Sequence, residues 1–251
     1  MVITFITIRR QRYTIIRTRQ NGLSIKMLNA RSFTTEISCI TFAVSGKSRT
    51  FAAVIYKTFD KKLIAELPVV AFPGRIIVIL TPGETARAVR YLLSQPLLGI
   101  DTETRPSFKR GDQHLVSLLQ VSTPDTCFLF RLRYTGFTPA LKTFLEDNTV
   151  TKVGLSLTDD MNSLHHLGAF TPGNFIDIQN MVKEVGIEDL SLQKLYANLF
   201  RQKISKRQQL SNWDADILTD KQKLYAATDA WACINIYNKL NKLISMGVKG
   251  E

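Results

Sequence analysis

Two carboxylates end an apolar stretch of this sequence, in the run GIDTET at residues 99–104. Since residues two apart on a β-strand project from the same face, Asp101 and Glu103 are predicted to converge on one point. Oxygen ligands of this kind suit a hard divalent cation. An Asp-x-Glu at a strand end is also typical of a solvated sheet edge, so this pair alone does not define a function.

Two further features place acids on predicted helices. Asp159 and Asp160 begin one helix, where capping and the helix dipole favour acidic residues whatever the function. Tyr225 and Asp229 lie four residues apart in a later helix and therefore share a face. A buried tyrosine hydrogen-bonded to a neighbour would also explain this second pair.

Together the three segments resemble the motifs of the DEDDy 3′-5′ exonucleases, the group that includes ribonuclease D, the Werner syndrome exonuclease domain and polymerase proofreading domains. The matching strings are GIDTET (99–104), VGLSLTDDMNSL (153–164) and YAATDAWA (225–232), and they stand in the family's order. The longer string at 210–232 is most similar to the Werner-type branch. The resemblance covers about residues 78–243 and implies a ribonuclease H-like α/β fold, the DnaQ-like exonuclease fold.

The resemblance also implies a chemistry, the hydrolysis of phosphodiester bonds with two metal ions. One ion activates the attacking water and the other stabilises the leaving oxygen. Mg²⁺ and Mn²⁺ prefer oxygen ligands, so four carboxylates are enough without His or Cys. By this resemblance Tyr225 orients the water, and the two ions are held by Asp101, Glu103, Asp160 and Asp229.

The acidic doublet leaves one of these assignments open. Asp160 is preferred to Asp159 because the family's second motif continues with a hydrophobic residue and, three positions later, a leucine. Met161 and Leu164 satisfy that pattern only when Asp160 is the motif acid.

Basic and aromatic residues near the motifs are candidate nucleic-acid contacts. Arginines and lysines position phosphates, and an aromatic ring between them can stack a base. A solvated basic loop explains the segment after the first motif equally well, and charge runs such as the one before Trp213 are usually solvated. The candidate contacts are Thr102, Phe108, Lys109, Arg110, His114, Lys206 and Arg207.

The elements that carry these residues follow from turn and capping signals. Thr81-Pro-Gly-Glu84 and Thr219-Asp-Lys-Gln222 are capping boxes, and the second begins the helix that bears Tyr225. Strands followed by alternating helices and strands predict an α/β domain, a mixed sheet flanked by helices. The predicted strands are 75–80, 97–103, 116–122, 127–132, 152–156 and 174–178, and the predicted helices are 81–94, 139–146, 158–167 and most of 179–243.

Charge divides the chain of 251 residues unevenly. The formal net charge is +12, and the first 50 residues contribute +8 of it because they contain nine bases and one acid. Residues 1–54 are therefore set apart as a basic segment, and an exonuclease domain is expected over 55–251. An upstream stretch translated from a mis-assigned start is the favoured interpretation of that segment, with a presequence or a basic nucleic-acid arm as the other interpretations.

These observations predict a metal-dependent 3′-5′ exonuclease that releases nucleoside 5′-monophosphates from single-stranded or recessed ends, with DNA favoured over RNA. The alternatives are a ribonuclease D-like RNA-trimming enzyme, an endonuclease on the same fold, and a non-catalytic nucleic-acid-binding module. No apolar run approaches the roughly 20 residues that a membrane helix needs. The cysteines Cys39, Cys127 and Cys233 are isolated, which favours a reducing, cytoplasmic location.

Overall fold

The chain divides into two compact units, Met1–Ala52 and Ala53–Glu251. This computed structural model describes residues 2–8, 11–17, 23–26, 55–107, 114–248 and 250. In the first unit, strands β1 (Val2–Ile8), β2 (Gln11–Arg17) and β3 (Leu23–Lys26) form an antiparallel sheet in the order β1-β2-β3. The described residues of the basic segment therefore form β-strands.

The second unit contains the predicted mixed sheet flanked by helices. Its strands are β4 (Val69–Val70), β5 (Arg75–Ile79), β6 (Leu97–Thr104), β7 (Val116–Ser122), β8 (Thr126–Arg131), β9 (Thr151–Gly154), β10 (Phe175–Asp177) and β11 (Lys203–Ile204). Its helices are α1 (Lys61–Ile64), α2 (Pro82–Leu92), α3 (Leu132–Thr135), α4 (Pro139–Glu146), α5 (Leu157–His165), α6 (Ile178–Glu184), α7 (Leu192–Phe200) and α8 (Asp220–Ser245).

Six strands form the main sheet in the order β10-β9-β6-β7-β8-β5. The β6-β7 and β7-β8 pairs are antiparallel, and the β10-β9, β9-β6 and β8-β5 pairs are parallel. A short parallel pair, β11-β4, stands apart from this sheet. The sequence did not predict α1, α3 or the β4-β11 pair, because elements of two to four residues are too short to show a hydrophobic period.

Helices cover both faces of the main sheet. On one face α2, α4 and α5 enclose a cluster that includes Ile100, Leu119 and Phe130. On the other face α8 crosses β5, β6, β7, β8 and β9. Both predicted capping boxes form, one before α2 and one before α8. No helix in the described part of the chain is long and apolar enough to cross a membrane.

A glycine on β6 allows α8 to approach the sheet closely. A Cβ atom on Gly99 would lie 1.9 Å from the carbonyl oxygen of Ala230 and 3.0 Å from Ile234. Because Gly99, Asp101 and Glu103 alternate along one strand, they share the face that α8 covers. The close approach therefore brings the acids of β6 to the helix that carries Asp229.

Candidate active site

Three of the four predicted carboxylates come together between β6 and α8. Ligand oxygens of Asp101, Glu103 and Asp229 all lie within 4.8 Å of one another. Asp229 is 6% exposed, and its Oδ1 atom is buried without a hydrogen-bond partner. A buried carboxylate oxygen without a donor is costly, and a bound cation would compensate it. The residues present therefore fit a divalent metal ion.

Asp160 lies beside this cluster and is tied to β6 by a hydrogen bond. The hydroxyl of Thr102 donates to Asp160 Oδ1. Thr102 stands on the opposite face of β6 from its neighbours Asp101 and Glu103, which is why it can reach helix α5. Asp159 is exposed, whereas Asp160 is half-buried. The charge of Asp160 raises the pKa of Asp101 and of Glu103, so Asp160 lies near the cluster, and its role as a metal ligand stays a prediction.

The turn before α5 is held by a residue that the motif comparison missed. Ser156 precedes the helix in the left-handed conformation, at φ 60°. The carboxylate of Asp177 accepts the N–H groups of Ser156 at 3.2 Å and Leu157 at 2.9 Å. Gln179 donates a further hydrogen bond of 2.5 Å to the Ser156 hydroxyl. Asp177 thus fixes the start of the helix that carries Asp160. In the sequence it could be recognised only as an acidic residue near the end of a predicted strand.

Burial raises the pKa of all four carboxyls, and for Asp101 and Glu103 the neighbouring carboxylates raise it further. The pKa of Glu103 rises from 4.5 to about 9, and that of Asp160 from 3.8 to about 6. The pKa of Asp229 rises from 3.8 to about 7. Like charges gathered in a desolvated site disfavour ionisation unless a cation joins them.

Tyr225 precedes Asp229 by one turn of α8, and its hydroxyl lowers the pKa of that carboxyl against the larger effect of burial. Burial is the main cause that raises the pKa of the Tyr225 hydroxyl, and the charge of Asp229 adds to it. The hydroxyl is therefore protonated and able to donate a hydrogen bond. Its ring lies 6.0 Å, centroid to centroid, from the ring of Trp213, which is fully buried. Trp213 therefore packs in the core beneath Tyr225.

A cavity of about 400 Å³ opens onto the carboxylates. Lys206 lies at this cavity, and its charge lowers the pKa of Asp229 against the larger effect of burial. Cys233 also lines the cavity, one turn beyond Asp229. The i, i+4 spacing of these two residues in the sequence already indicated that they share a face of the helix. No spacing in the sequence indicated that the α6-α7 loop lines this cavity. The other lining residues from that loop and from the segments around it are Leu155, Ser156, Leu190, Ser191, Leu192, Gln193, Ile204 and Gln209.

The remaining candidate nucleic-acid contacts are dispersed. Arg207 is exposed and is not among the residues that line the cavity. His114 is half-buried and lines a second cavity of about 900 Å³ together with Arg105. Phe108, Lys109 and Arg110 lie outside the described residues. Thr102, by contrast, lines the cavity with the carboxylates, but its hydroxyl is engaged by Asp160, so a contact between this hydroxyl and nucleic acid stays a prediction.

Comparison with known proteins places this site in a sequence family. Residues 76–245, more than half of the chain, match the family of 3′-5′ exonucleases. The mouse bifunctional 3′-5′ exonuclease/ATP-dependent helicase WRN is 29% identical over 187 residues, which cover 70% of this chain and 13% of the mouse protein. A 3′-5′ exonuclease of Arabidopsis thaliana is 27% identical over 192 residues, covering 70% of this chain and 67% of the plant protein.

A solved structure shares the fold. Escherichia coli RNase D, an exoribonuclease involved in structured RNA processing, matches with a TM-score of 0.62 at 21% identity. The match covers 68% of this chain and 46% of the RNase D chain. This chain therefore corresponds to about half of that structure and to a small part of the mouse protein.

Proposed function

The chain belongs to the DEDDy-type 3′-5′ exonuclease family, and on that basis we propose that it shortens nucleic acids with two divalent metal ions, with DNA favoured over RNA. The observation that carries this proposal is the cluster of Asp101, Glu103 and Asp229 oxygens within 4.8 Å of one another. Nucleoside 5′-monophosphates are the expected products.

The metal-binding residues are the four carboxylates. Asp101, Glu103 and Asp229 would hold the ions at the cavity, with Asp160 joining them from α5. When bound, Mg²⁺ or Mn²⁺ supplies positive charge that favours ionisation of the attacking water and stabilises the leaving oxygen. The unpartnered Oδ1 of Asp229 and the raised pKa values of the buried carboxyls support this assignment.

Orientation of the attacking water and binding of the substrate phosphates are assigned to side chains of the protein. The protonated hydroxyl of Tyr225 is a donor beside Asp229, which suits it to orient a water by hydrogen bonding. Lys206, at the cavity, provides a cation for a phosphate of the substrate. Arg207, exposed and close in sequence to Lys206, is proposed to contact the strand outside the cavity.

The cavity suits the end of one strand. Its volume of about 400 Å³ lies within the range of small-ligand pockets, which is in keeping with a single terminal nucleotide. The hydrophobic residues Leu190, Leu192 and Ile204 line it together with the carboxylates. An apolar wall facing charged residues suits a base on one side and a phosphate on the other.

DNA is the proposed substrate because the string at 210–232 is most similar to the Werner-type branch, and the mouse relative belongs to that branch. RNA trimming is the second candidate, and the likeness to RNase D, an exoribonuclease, favours it. Discrimination depends on contacts with the 2′-hydroxyl, so the two substrates must be compared directly.

The test uses matched DNA and RNA oligonucleotides, each labelled in turn at the 5′ and the 3′ end. With Mg²⁺ or Mn²⁺ we expect a ladder of 5′-labelled products, immediate release of the 3′ label, and faster degradation of DNA; chelation stops both reactions. Asp101→Ala and Asp229→Ala should abolish cleavage and leave the fold intact. Internal cuts would show an endonuclease instead, and binding without any cleavage would show a non-catalytic module.

A further inference from the structure

An arginine is buried at the end of β8, far in sequence from the three motifs. Arg131 is 2% exposed, and its guanidinium donates to the backbone carbonyls of Ala215 and of Asp216, the latter at 3.4 Å. Its Cζ atom lies 5.2 Å from the centre of the Tyr134 ring. Within the described residues no carboxylate forms an ion pair with Arg131. The charge is therefore directed at the backbone of one loop.

Two neighbours of Arg131 hold the same loop. Arg133 donates to the carbonyl of Asp214 at 3.0 Å and to Asp216 Oδ1 at 3.4 Å. The hydroxyl of Tyr134 lies 3.2 Å from Asp216 Oδ1. These two side chains are exposed, whereas Arg131 is buried. Arg131 is thus the buried member of the set, and its hydrogen bonds are less screened by water than those of Arg133 and Tyr134.

The loop that Arg131 holds connects two fixed points beside the active site. It starts after Trp213, whose ring lies 6.0 Å from that of Tyr225. It ends at Thr219, the N-cap of α8. Gln222, in the first turn of α8, donates to the carbonyl of Asn212 at 3.1 Å and so ties the helix back to the segment that bears Trp213. The loop therefore joins the segment that bears Trp213 to the start of α8, just ahead of Tyr225.

We propose that Arg131 is a positioning residue that holds the hydroxyl of Tyr225 in register with Asp229 through the 214–216 loop. This proposal rests on the proposed function, in which Tyr225 orients the attacking water. Arginine suits the task because its planar fork offers several donors in a fixed geometry, whereas lysine offers a single ammonium group. Without it, the half-buried carbonyl of Ala215 would lose this donor, and the 214–216 loop would lose the hydrogen bonds that hold it against β8.

The first test is a double-mutant cycle on turnover. Arg131→Met is expected to lower kcat between about 10- and 100-fold, the effect of a displacement of about 1 Å in a reacting group. In the Tyr225→Phe background the same change should lower kcat by less than about twofold, since the hydroxyl to be positioned is already absent. A purely structural effect would reduce kcat by the same factor in both backgrounds, and that result would overturn the proposal.

The second test reads the position of Tyr225 without catalysis. With 3-fluorotyrosine incorporated, the ¹⁹F resonance of Tyr225 is identified by its loss in Tyr225→Phe. Arg131→Met should shift or broaden that resonance, while Arg90→Met, the same change at an exposed arginine on α2, should leave it in place. An unmoved Tyr225 resonance in Arg131→Met would overturn the proposal whatever the kinetics show.

The two tests separate this proposal from the role of Tyr225. If Tyr225→Phe turns over normally but Arg131→Met moves the resonance, the positioning stands and the proposed role of Tyr225 falls. Arg131→Lys keeps a donor and is expected to give intermediate values of kcat and of the ¹⁹F shift. It also provides the measurement if Arg131→Met does not fold, and wild-type values for both quantities in Arg131→Lys would then contradict the need for the guanidinium fork.

Discussion

At the scale of single residues, the site is defined by carboxylates that lack sufficient positive charge nearby. Asp101, Glu103 and Asp229 are brought together by the fold, and Lys206 only partly offsets the effect of burial on Asp229. The ionised carboxylates therefore repel one another in the folded protein when no cation is bound. Both the stability and the activity of the protein should respond to metal ions for this reason.

The metal-free protein should lose stability as the pH rises. Glu103 has a pKa of about 9 in the folded state against 4.5 ordinarily, so between these values the folded state binds more protons than the unfolded chain. The free energy of unfolding then falls as pH increases through that range. Thermal melting in chelator from pH 5 to pH 9 should show a falling Tm, and saturating Mg²⁺ should flatten the curve.

Glu103→Gln provides the control for this pH dependence. Its amide does not ionise, so in chelator its Tm should exceed that of the wild type at pH 8 and depend less on pH. A wild-type Tm that stays level or rises toward pH 9 in chelator would contradict the assigned electrostatics.

The acidic doublet offers a matched pair of substitutions. Asp160→Asn removes a carboxylate directed at the cluster and should lower kcat by more than about 100-fold, beyond what loss of an outer-shell partner of a metal ligand usually costs. Asp159→Asn changes an exposed neighbour and should leave kcat within about twofold of the wild type. The measurement is turnover of a 5′-labelled oligonucleotide in Mg²⁺, and the reverse order of effects would move the second motif to Asp159.

Tyr225→Phe removes a hydroxyl and little else. Because the ring packing against Trp213 is kept, we expect an unchanged Tm and metal affinity together with a kcat lowered by about 10- to 1,000-fold. Turnover assays measure kcat, and calorimetric titration with Mn²⁺ measures the metal affinity. Normal turnover would remove Tyr225 from the mechanism.

At the scale of elements, the site depends on how closely α8 approaches β6. Helix α8 carries Tyr225 and Asp229, and strand β6 carries Asp101 and Glu103. The two elements meet at Gly99, where the sheet and the helix backbone are in contact. Any side chain at this position would separate the acids of the strand from those of the helix.

Gly99→Ala should therefore impair both stability and activity. Its Cβ would lie 1.9 Å from the Ala230 carbonyl oxygen, and overpacking of this kind costs about 1–3 kcal/mol. Gly83→Ala is the matched control, because the nearest atom to its Cβ is the Arg87 guanidinium at 3.9 Å. Chemical denaturation and turnover should show losses only for Gly99→Ala, and equal behaviour of the two variants would contradict the close-contact argument.

At the scale of the whole molecule, the second unit contains the family match and the whole described site. It also begins upstream of the match at residue 76, since Ile55, Phe59 and Ile64 are each only 4% exposed. Asn198 on α7 receives the N–H of Tyr56 at 3.0 Å and donates to its carbonyl at 2.6 Å. Residues 55–67 therefore complete the core of the catalytic unit.

Two truncations test this boundary. Deletion of residues 1–54 should keep kcat and Tm near those of the full chain, because the site and its supports lie in the second unit. Deletion of residues 1–67 should lower the free energy of unfolding markedly, by about 1.5–3 kcal/mol for each buried large side chain removed. An inactive 55–251 fragment would show instead that the basic segment is needed for the reaction.

The sequence by itself determined the features that depend on local geometry. Asp101 and Glu103 share a face because successive side chains of a strand point to opposite faces of the sheet. Tyr225 and Asp229 share a face because one turn of a helix takes nearly four residues. The two capping boxes were predicted for the same reason, since each joins residues three positions apart. The six strands of the main sheet were predicted to within a few residues at their ends.

Only the tertiary structure decided how those local pieces meet. Thr102 and Asp160 are 58 residues apart, and Arg131 lies 84 residues from the carbonyl of Ala215 that it holds. The Asp177 carboxylate accepts a hydrogen bond from the N–H of Leu157, at the start of α5, 20 residues away. Contacts at such separations depend on which strands pair and which face a helix covers, and no periodic pattern in the sequence encodes that choice. The sequence therefore specified the acids of the site, and the packing of α8 on β6 decided that they meet.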